Sequence, residues 1–329
     1  MWKQAMGLSV LLVAVLFLTP LFVIRPTEEE PKEESETAEA LCFPGTDERT
    51  TLSVETDGTV REMTLRAYLT GVVRAEMPAD FSEEALKAQA VAARSYTLYQ
   101  LSHADKCKHE SGAALCTDST CCQAYIGEER ARENWGDAAD EKCRKTAAAV
   151  EETDGVVALY EGEPILAAFH SSAAGATEDA AAAWSASVPY LQSVTTPETA
   201  ENVPRFTEEK RFGAAEFREI FTAAYPEAKF GEDAAAYVAE IVRDGAGYVA
   251  TCTVGGVSLR GVEVRRLFSL RSACFTVSAA DGGVVFHTEG FGHGVGMSQY
   301  GAELLAREGE DFADILRHYY AGITLGKAA

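Results

Sequence analysis

Positive charge is the first thing this sequence is short of. Its 329 residues hold 29 Lys and Arg against 51 Asp and Glu, a formal net charge of −22. A chain this acidic repels nucleic acid rather than binding it. Several catalytic signatures are missing too. No glycine-rich run ends in G-K-[ST], so there is no P-loop, and no G-x-S-x-G forms a nucleophile elbow. The adjacent His170 and Ser171 therefore do not read as a serine hydrolase, since neighbours on a strand point to opposite faces. There is no obvious pair of carboxylates, no internal repeat, and no linker within residues 49–329.

What is present is a chain that is 47% hydrophobic, long enough for one large domain or two small ones. Residues 5–24, AMGLSVLLVAVLFLTPLFVI, carry no charge and are long enough to cross a bilayer of roughly 30 Å as a helix. Lys3 lies before the run and RPTEEEPKEESETAEA, residues 25–40, follows it. The positive-inside rule then predicts a short cytoplasmic N-terminus and an outer bulk. Residues 1–26 read as a membrane anchor, 27–48 as an acidic flexible spacer, and 49–329 as one folded domain. A cleaved signal peptide is the alternative, although no A-x-A site closes the apolar run.

Past the spacer, alternation around Asp57-Gly58 predicts a hairpin. LRAYLTGVVRAE and SEEALKAQAVAARSYTLYQL predict two helices, and DAADEKCRKTAAAVEET a third. GVVALY and PILAAFHSS read as strands, AAEFREIFTAAY as an amphipathic helix, and 236–290 as short strands with glycine-rich turns. Two helices, near 297–307 and 311–320, close the chain. Helices and short antiparallel strands are segregated, so the fold class is α+β, preceded by the transmembrane helix.

Five places carry candidate chemistry. In GVVRAEMPAD, Pro78 should stop the preceding helix and leave Glu76 at its end among apolar neighbours. Burial there would keep a carboxyl protonated near neutral pH, as a general acid requires; a solvated surface glutamate is the plainer alternative. In LKAQAVAARSY, Gln89 and Arg94 are polar residues among alanines, suited to a polar ligand, a carboxylate, or simple exposure. The loop KCKHESGAALCTDSTCCQAY offers soft thiolates and an imidazole. His109, Cys116 and Cys122 form a zinc ligand set, with a fourth ligand from Cys107, Cys121 or elsewhere. Disulfides are the alternative in an extracytoplasmic chain. FHSSAAGATED ends an apolar strand with His170, Ser171 and Ser172, which could line a cleft; Trp184 and Tyr190 follow in WSASVPYLQSV, aromatic types that stack on sugars or pack in a core. In GFGHGVGMSQYGA, glycines alternate around His293, as a ligand cradle or a tightly packed turn.

Together, GVVRAEMP with ALKAQAVAARSY, then CTDSTCCQAY, FHSSAAGATE, PYLQSV, RGVEVRRLFSLRS and GFGHGVGMSQYGA stand in the order found in stage II sporulation protein D, and the chain resembles that family over about residues 49–325. The resemblance implies a membrane-anchored lytic transglycosylase that cleaves peptide-stripped peptidoglycan glycan strands during engulfment of the forespore. It implies an extracytoplasmic catalytic domain at the septal or engulfing membrane, and stage II sporulation proteins P and M as partners. It carries the catalytic glutamate to Glu76, the active-site arginine to Arg94 and the tyrosine of P-Y-L to Tyr190. An acidic residue falls near Glu198. Some members hold zinc through a His and two Cys, matching His109, Cys116 and Cys122; the mechanism needs no metal, so the zinc reads as structural. Gln89, Ser171 and His293 join Arg94 and Tyr190 as substrate-binding candidates.

The chain departs from the family in SSAAGAT, where alanines replace the usual glycines and serines, and in the extra thiols Cys107 and Cys121. Two other readings remain. Related amidase enhancers bind peptidoglycan without cutting it. A zinc hydrolase using His170 or His293 with the cysteines would also fit these residue types.

Overall fold

Pro78 fixes the geometry from which the rest of the site is built. It holds Met77 extended (φ −126°, ψ 137°), so the helix Leu65–Glu76 stops with Glu76 as its last residue. Thr64 starts that helix by accepting the amide of Ala67 at 3.2 Å. The computed structural model describes residues 42–103 and 111–328, which all fall in one compact unit, Leu41–Ala329.

The helix Glu83–Ser102 runs through the middle of this unit. Its alanines are almost wholly buried, which lets the helices Leu65–Glu76, Ala139–Glu152, Gln299–Glu308 and Phe312–Tyr319 pack closely against it. The expected hairpin is formed by Thr51–Thr56 and Thr59–Thr64, with Asp57 and Gly58 both at positive φ. Val156–Tyr160 is the middle strand of a small sheet, between Thr324–Lys327 and Glu163–Pro164.

Residues 207–289 build a second core of their own. Two three-stranded antiparallel sheets and the helices Ala214–Ala224 and Gly261–Leu267 enclose Phe212, Phe217, Phe221, Phe268 and Phe286. The rings meet at centroid distances of 4.5–6.5 Å, in edge-on and stacked arrangements. The α+β class is therefore present, with helices and short strands segregated as the sequence predicts.

Three expectations change. The folded unit starts before residue 49: Thr46–Arg49 is helical, and the spacer's Asp47 is fully buried. Asp154 ties this segment down by accepting the amides of Gly45 and Asp47 at 2.6 and 2.8 Å. PILAAFHSS is not a continuous strand. Pro164 ends the strand Glu163–Pro164 and Phe169–His170 joins a separate ladder; between them the Leu166 amide is taken by the Tyr190 hydroxyl and that of Ile165 by the Ala158 carbonyl. Nor are all pairings antiparallel, since Leu115–Cys116 pairs parallel to Val54–Glu55 and Met297–Ser298 parallel to Phe169–His170. No helix among the described residues is long and apolar enough to cross a membrane; the anchor expected at 5–24 lies outside them.

Candidate active site

Gly71 prepares the site from one turn inside the helix Leu65–Glu76. A side chain there would run into the Tyr125 ring, with a Cβ only 2.1 Å from it. Without one, Tyr125 lies flat against the helix and stacks on Tyr68 at 6.1 Å, and Ile126 donates to the Gly71 carbonyl. The segment is thereby pinned so that the Ala124 amide donates to Glu76 Oε1 at 3.0 Å.

Burial pushes the Glu76 carboxyl above its ordinary range. Hydrogen bonds from the Ala124 amide and the Gln299 side chain act the other way. Gln299 is buried at the head of the helix Gln299–Glu308 and also donates to Gln89 Oε1 at 3.3 Å. Glu76 thus ends a buried chain of side-chain amides.

The carboxyl opens on a cleft of about 480 Å³ whose walls include Tyr96, Gln123, Leu166, Phe169, Trp184 and His293. On its other side is a recess of about 350 Å³ bordered by Trp135, Ser171, Gln299 and Tyr300. The mixture of one protected acid, amide groups and aromatic faces suits a polar, ring-containing ligand. Trp184 is the exposed one of the aromatics lining these two cavities, at 38% accessibility, with its ring 5.4 Å from that of His293.

The glycine-rich loop reads as a packed turn that shapes this wall. Gly296, at φ +72°, would place a Cβ 2.1 Å from the Ala168 carbonyl. That contact lets Met297–Ser298 pair with Phe169–His170 and sets His293 on the cleft. His293 Nδ1 accepts the Val295 amide, and burial with the nearby Arg265 pushes its pKa down to about 4. Its neighbour His170 is pushed down to about 3, by burial first and then by His293. Both rings are neutral at pH 7.

The sequence candidates separate accordingly. Glu76, Ser171 and His293 border the cavities, and Gln89 stands one hydrogen bond behind Gln299. Arg94 is elsewhere: only 1% exposed, it forks onto Asp47 at 2.6–3.0 Å and donates to the carbonyls of Val156 and Val150. Instead of facing sugar, it locks the 42–49 segment to the core. Tyr190 also stands behind the wall, its hydroxyl accepting the Leu166 amide at 2.9 Å. Glu198 is buried and bridges the Ala173 amide and the Ser298 hydroxyl, away from the cleft. Gln299 is not among the candidates the sequence offers; its place after Gly296-Met297-Ser298, at a helix start beside a glycine-fixed turn, is the signal that points to it.

For a metal, the sulfurs of Cys116, Cys121 and Cys122 lie within 4.8 Å of one another. Cys121 is disulfide-bonded and so drops out of the ligand set. Cys116 and Cys122 are both buried, with the Cys116 amide donating to the Cys122 sulfur at 3.3 Å. This pair of thiols suits zinc; His109 and Cys107 lie outside the described residues. Among the described residues, neither His170 nor His293 belongs to a metal-type cluster with these thiols.

Comparison with known proteins agrees over most of the chain. The family model described as Stage II sporulation protein (SpoIID) matches residues 54–160. Stage II sporulation protein D of Bacillus amyloliquefaciens is 36% identical over 270 residues, covering 82% of this chain and 76% of its own. Its counterpart in Bacillus subtilis (strain 168) is 34% identical over 341 residues, covering 100% and 97%. The amidase enhancer of Bacillus subtilis (strain 168) is 28% identical over 304 residues, covering 78% of this chain and 40% of its own.

Proposed function

The chain belongs to the stage II sporulation protein D family, a sporulation family, and from that premise we propose that it is a lytic transglycosylase acting on peptide-stripped peptidoglycan strands. The observation that carries this reading is Glu76, a single carboxyl whose pKa is raised by burial at the edge of a cleft lined with aromatic and amide groups.

One such group is sufficient for the reaction. The Glu76 carboxyl gives its proton to the oxygen joining N-acetylmuramic acid to N-acetylglucosamine as the C1–O bond breaks. The leaving sugar departs with a free 4-hydroxyl. The muramic 6-hydroxyl attacks C1, and its proton returns to the Glu76 carboxylate, which regenerates the acid. The product is a 1,6-anhydro-muramic end, and no water enters the new bond. The Ala124 amide and Gln299 steady the carboxylate between the two proton transfers. Trp184 offers a face for a sugar ring.

The zinc, held by Cys116, Cys122 and His109, would stiffen the segment that leads to Ala124 and take no part in bond cleavage. Residues 5–24 would anchor the domain outside the cell membrane during engulfment, in a complex with stage II sporulation proteins P and M.

The relative named amidase enhancer favours one other reading, a domain that binds peptidoglycan and stimulates a separate amidase. A single experiment separates the two. The full chain is incubated alone with peptide-stripped strands, beside its Glu76→Gln variant, and the products are weighed by mass spectrometry. Anhydro-muramic ends from the parent alone support the transglycosylase. Reducing ends, or no cutting without a partner, overturn it.

A further inference from the structure

A second cavity, of about 440 Å³, adjoins the Glu76 cleft and shares Trp184 and His293 with it. Its other walls bring Arg260, Arg265 and Arg266 together around Ser269. Three guanidinium groups around one hollow are conspicuous in a chain with a net charge of −22. Arg260 is partly spoken for, pairing with Glu263 at 3.5 Å and donating to Ser185. Arg265 donates from Nε to the Arg271 carbonyl at 3.2 Å. Among the described residues, no carboxylate lies within ion-pairing distance of Arg265 or Arg266. Arg265 is half-buried beside Arg266, and both burial and that neighbour work against its charge. A guanidinium in that position is left wanting an anion. Its field also reaches the cleft, where it is one of the influences that keep His293 neutral.

We propose that this hollow is an anion subsite that takes the free lactyl carboxylate of a muramic residue lying next to the bond to be cut. The inference rests on the glycan reading of the Glu76 cleft and names the feature of the strand that is read. Guanidinium forks match a planar carboxylate. A lactyl group is attached directly to the sugar ring, so a ring stacked on Trp184 would carry its carboxylate straight to Arg265 and Arg266. Where a stem peptide is attached, the same carboxyl is an amide and has no charge; the peptide's own carboxylates are several bonds further away. The subsite therefore distinguishes stripped from peptide-bearing strands by charge.

Binding is measured with the full chain as Glu76→Gln, so that strands stay whole. The probes are peptide-stripped strands, the same strands with lactyl carboxylates converted to methylamides, and peptide-bearing strands. Stripped strands should bind at least roughly tenfold tighter than the methylamides, in line with one charge-assisted contact. Adding Arg265→Gln and Arg266→Gln should cost stripped strands about the same factor and leave methylamide binding unchanged. Arg266 is exposed, so Arg266→Gln alone supplies a folded variant if the double change does not fold. Equal binding of stripped and methylamide strands overturns the proposal. So does arginine-dependent binding of peptide-bearing strands as tight as that of stripped ones, which would assign the hollow to peptide carboxylates. Wild-type cleavage products are read separately. Discrimination without anhydro-muramic ends keeps the subsite and removes the transglycosylase; anhydro-muramic ends without discrimination do the reverse.

Discussion

Gln299 donates from Nε2 to Gln89 Oε1 at 3.3 Å, and both side chains are buried. The second role of Gln299 is a hydrogen bond to Glu76 that favours the ionised carboxylate. Gln89 therefore aims Gln299, and Gln299 tunes the acid. Burial raises the Glu76 pKa, so the protonated, working form is present below that value and is lost as pH rises through it. Gln299→Leu removes a donor to the carboxylate and raises the pKa further. The alkaline limb of kcat/KM should move to higher pH, which a pH–rate profile measures directly. Gln89→Leu should move it the same way by less. A limb that stays in place would separate Glu76 from the proton transfer.

Arg94 and Asp47 make a different prediction. Asp47→Asn would leave a guanidinium buried without its counter-charge, at a cost of about 3–5 kcal/mol. Denaturant unfolding should show that loss, while KM for glycan in the folded fraction stays at its parent value. A higher KM with unchanged stability would return Arg94 to the substrate, where the sequence motif alone had put it. A chain starting at residue 50 should be as unstable as Asp47→Asn, because it lacks the same partner.

This pair also marks where the sequence stops being legible. The end of the helix at Glu76 could be read because Pro78 acts on the backbone next to it. The hairpin could be read because Asp57-Gly58 is a local signal. Arg94 finds its partner 47 positions away, in a stretch whose acidity reads as solvated spacer. A buried ion pair and a disordered acidic run have the same composition, and only the fold tells them apart. The glycine loop lay between these cases. Its demand for tight backbone was visible, but not that the Ala168 carbonyl is what it packs against. The amide chain from Gln89 to Glu76 joins segments 210 residues apart and has no local pattern at all.

Tyr190 is expected to act through the wall it supports. Tyr190→Phe removes the acceptor of the partly buried Leu166 amide, at about 1 kcal/mol. Thermal unfolding should register the loss, together with a small fall in kcat/KM as Leu166 shifts at the cleft edge. A large rise in KM at unchanged stability would instead mean that the hydroxyl touches sugar.

Zinc gives the most informative removal experiment. The thiols of Cys116 and Cys122 stand at the start of the segment that runs through Gln123 to Ala124, whose amide holds Glu76. A structural ion there would be closed by protein ligands, with no open position for water or sugar. Elemental analysis of the full chain should then find about one zinc per molecule, reduced in Cys116→Ser and Cys122→Ser. A chelator should lower the unfolding temperature, and cleavage should fall only as folded protein is lost. The order of events decides the matter. If the chelator stops cleavage at once while the fold persists, the metal takes part in bond breaking. If unfolding and inactivation keep the same time course, the ion supports the Ala124 segment, and the chemistry remains with the Glu76 carboxyl.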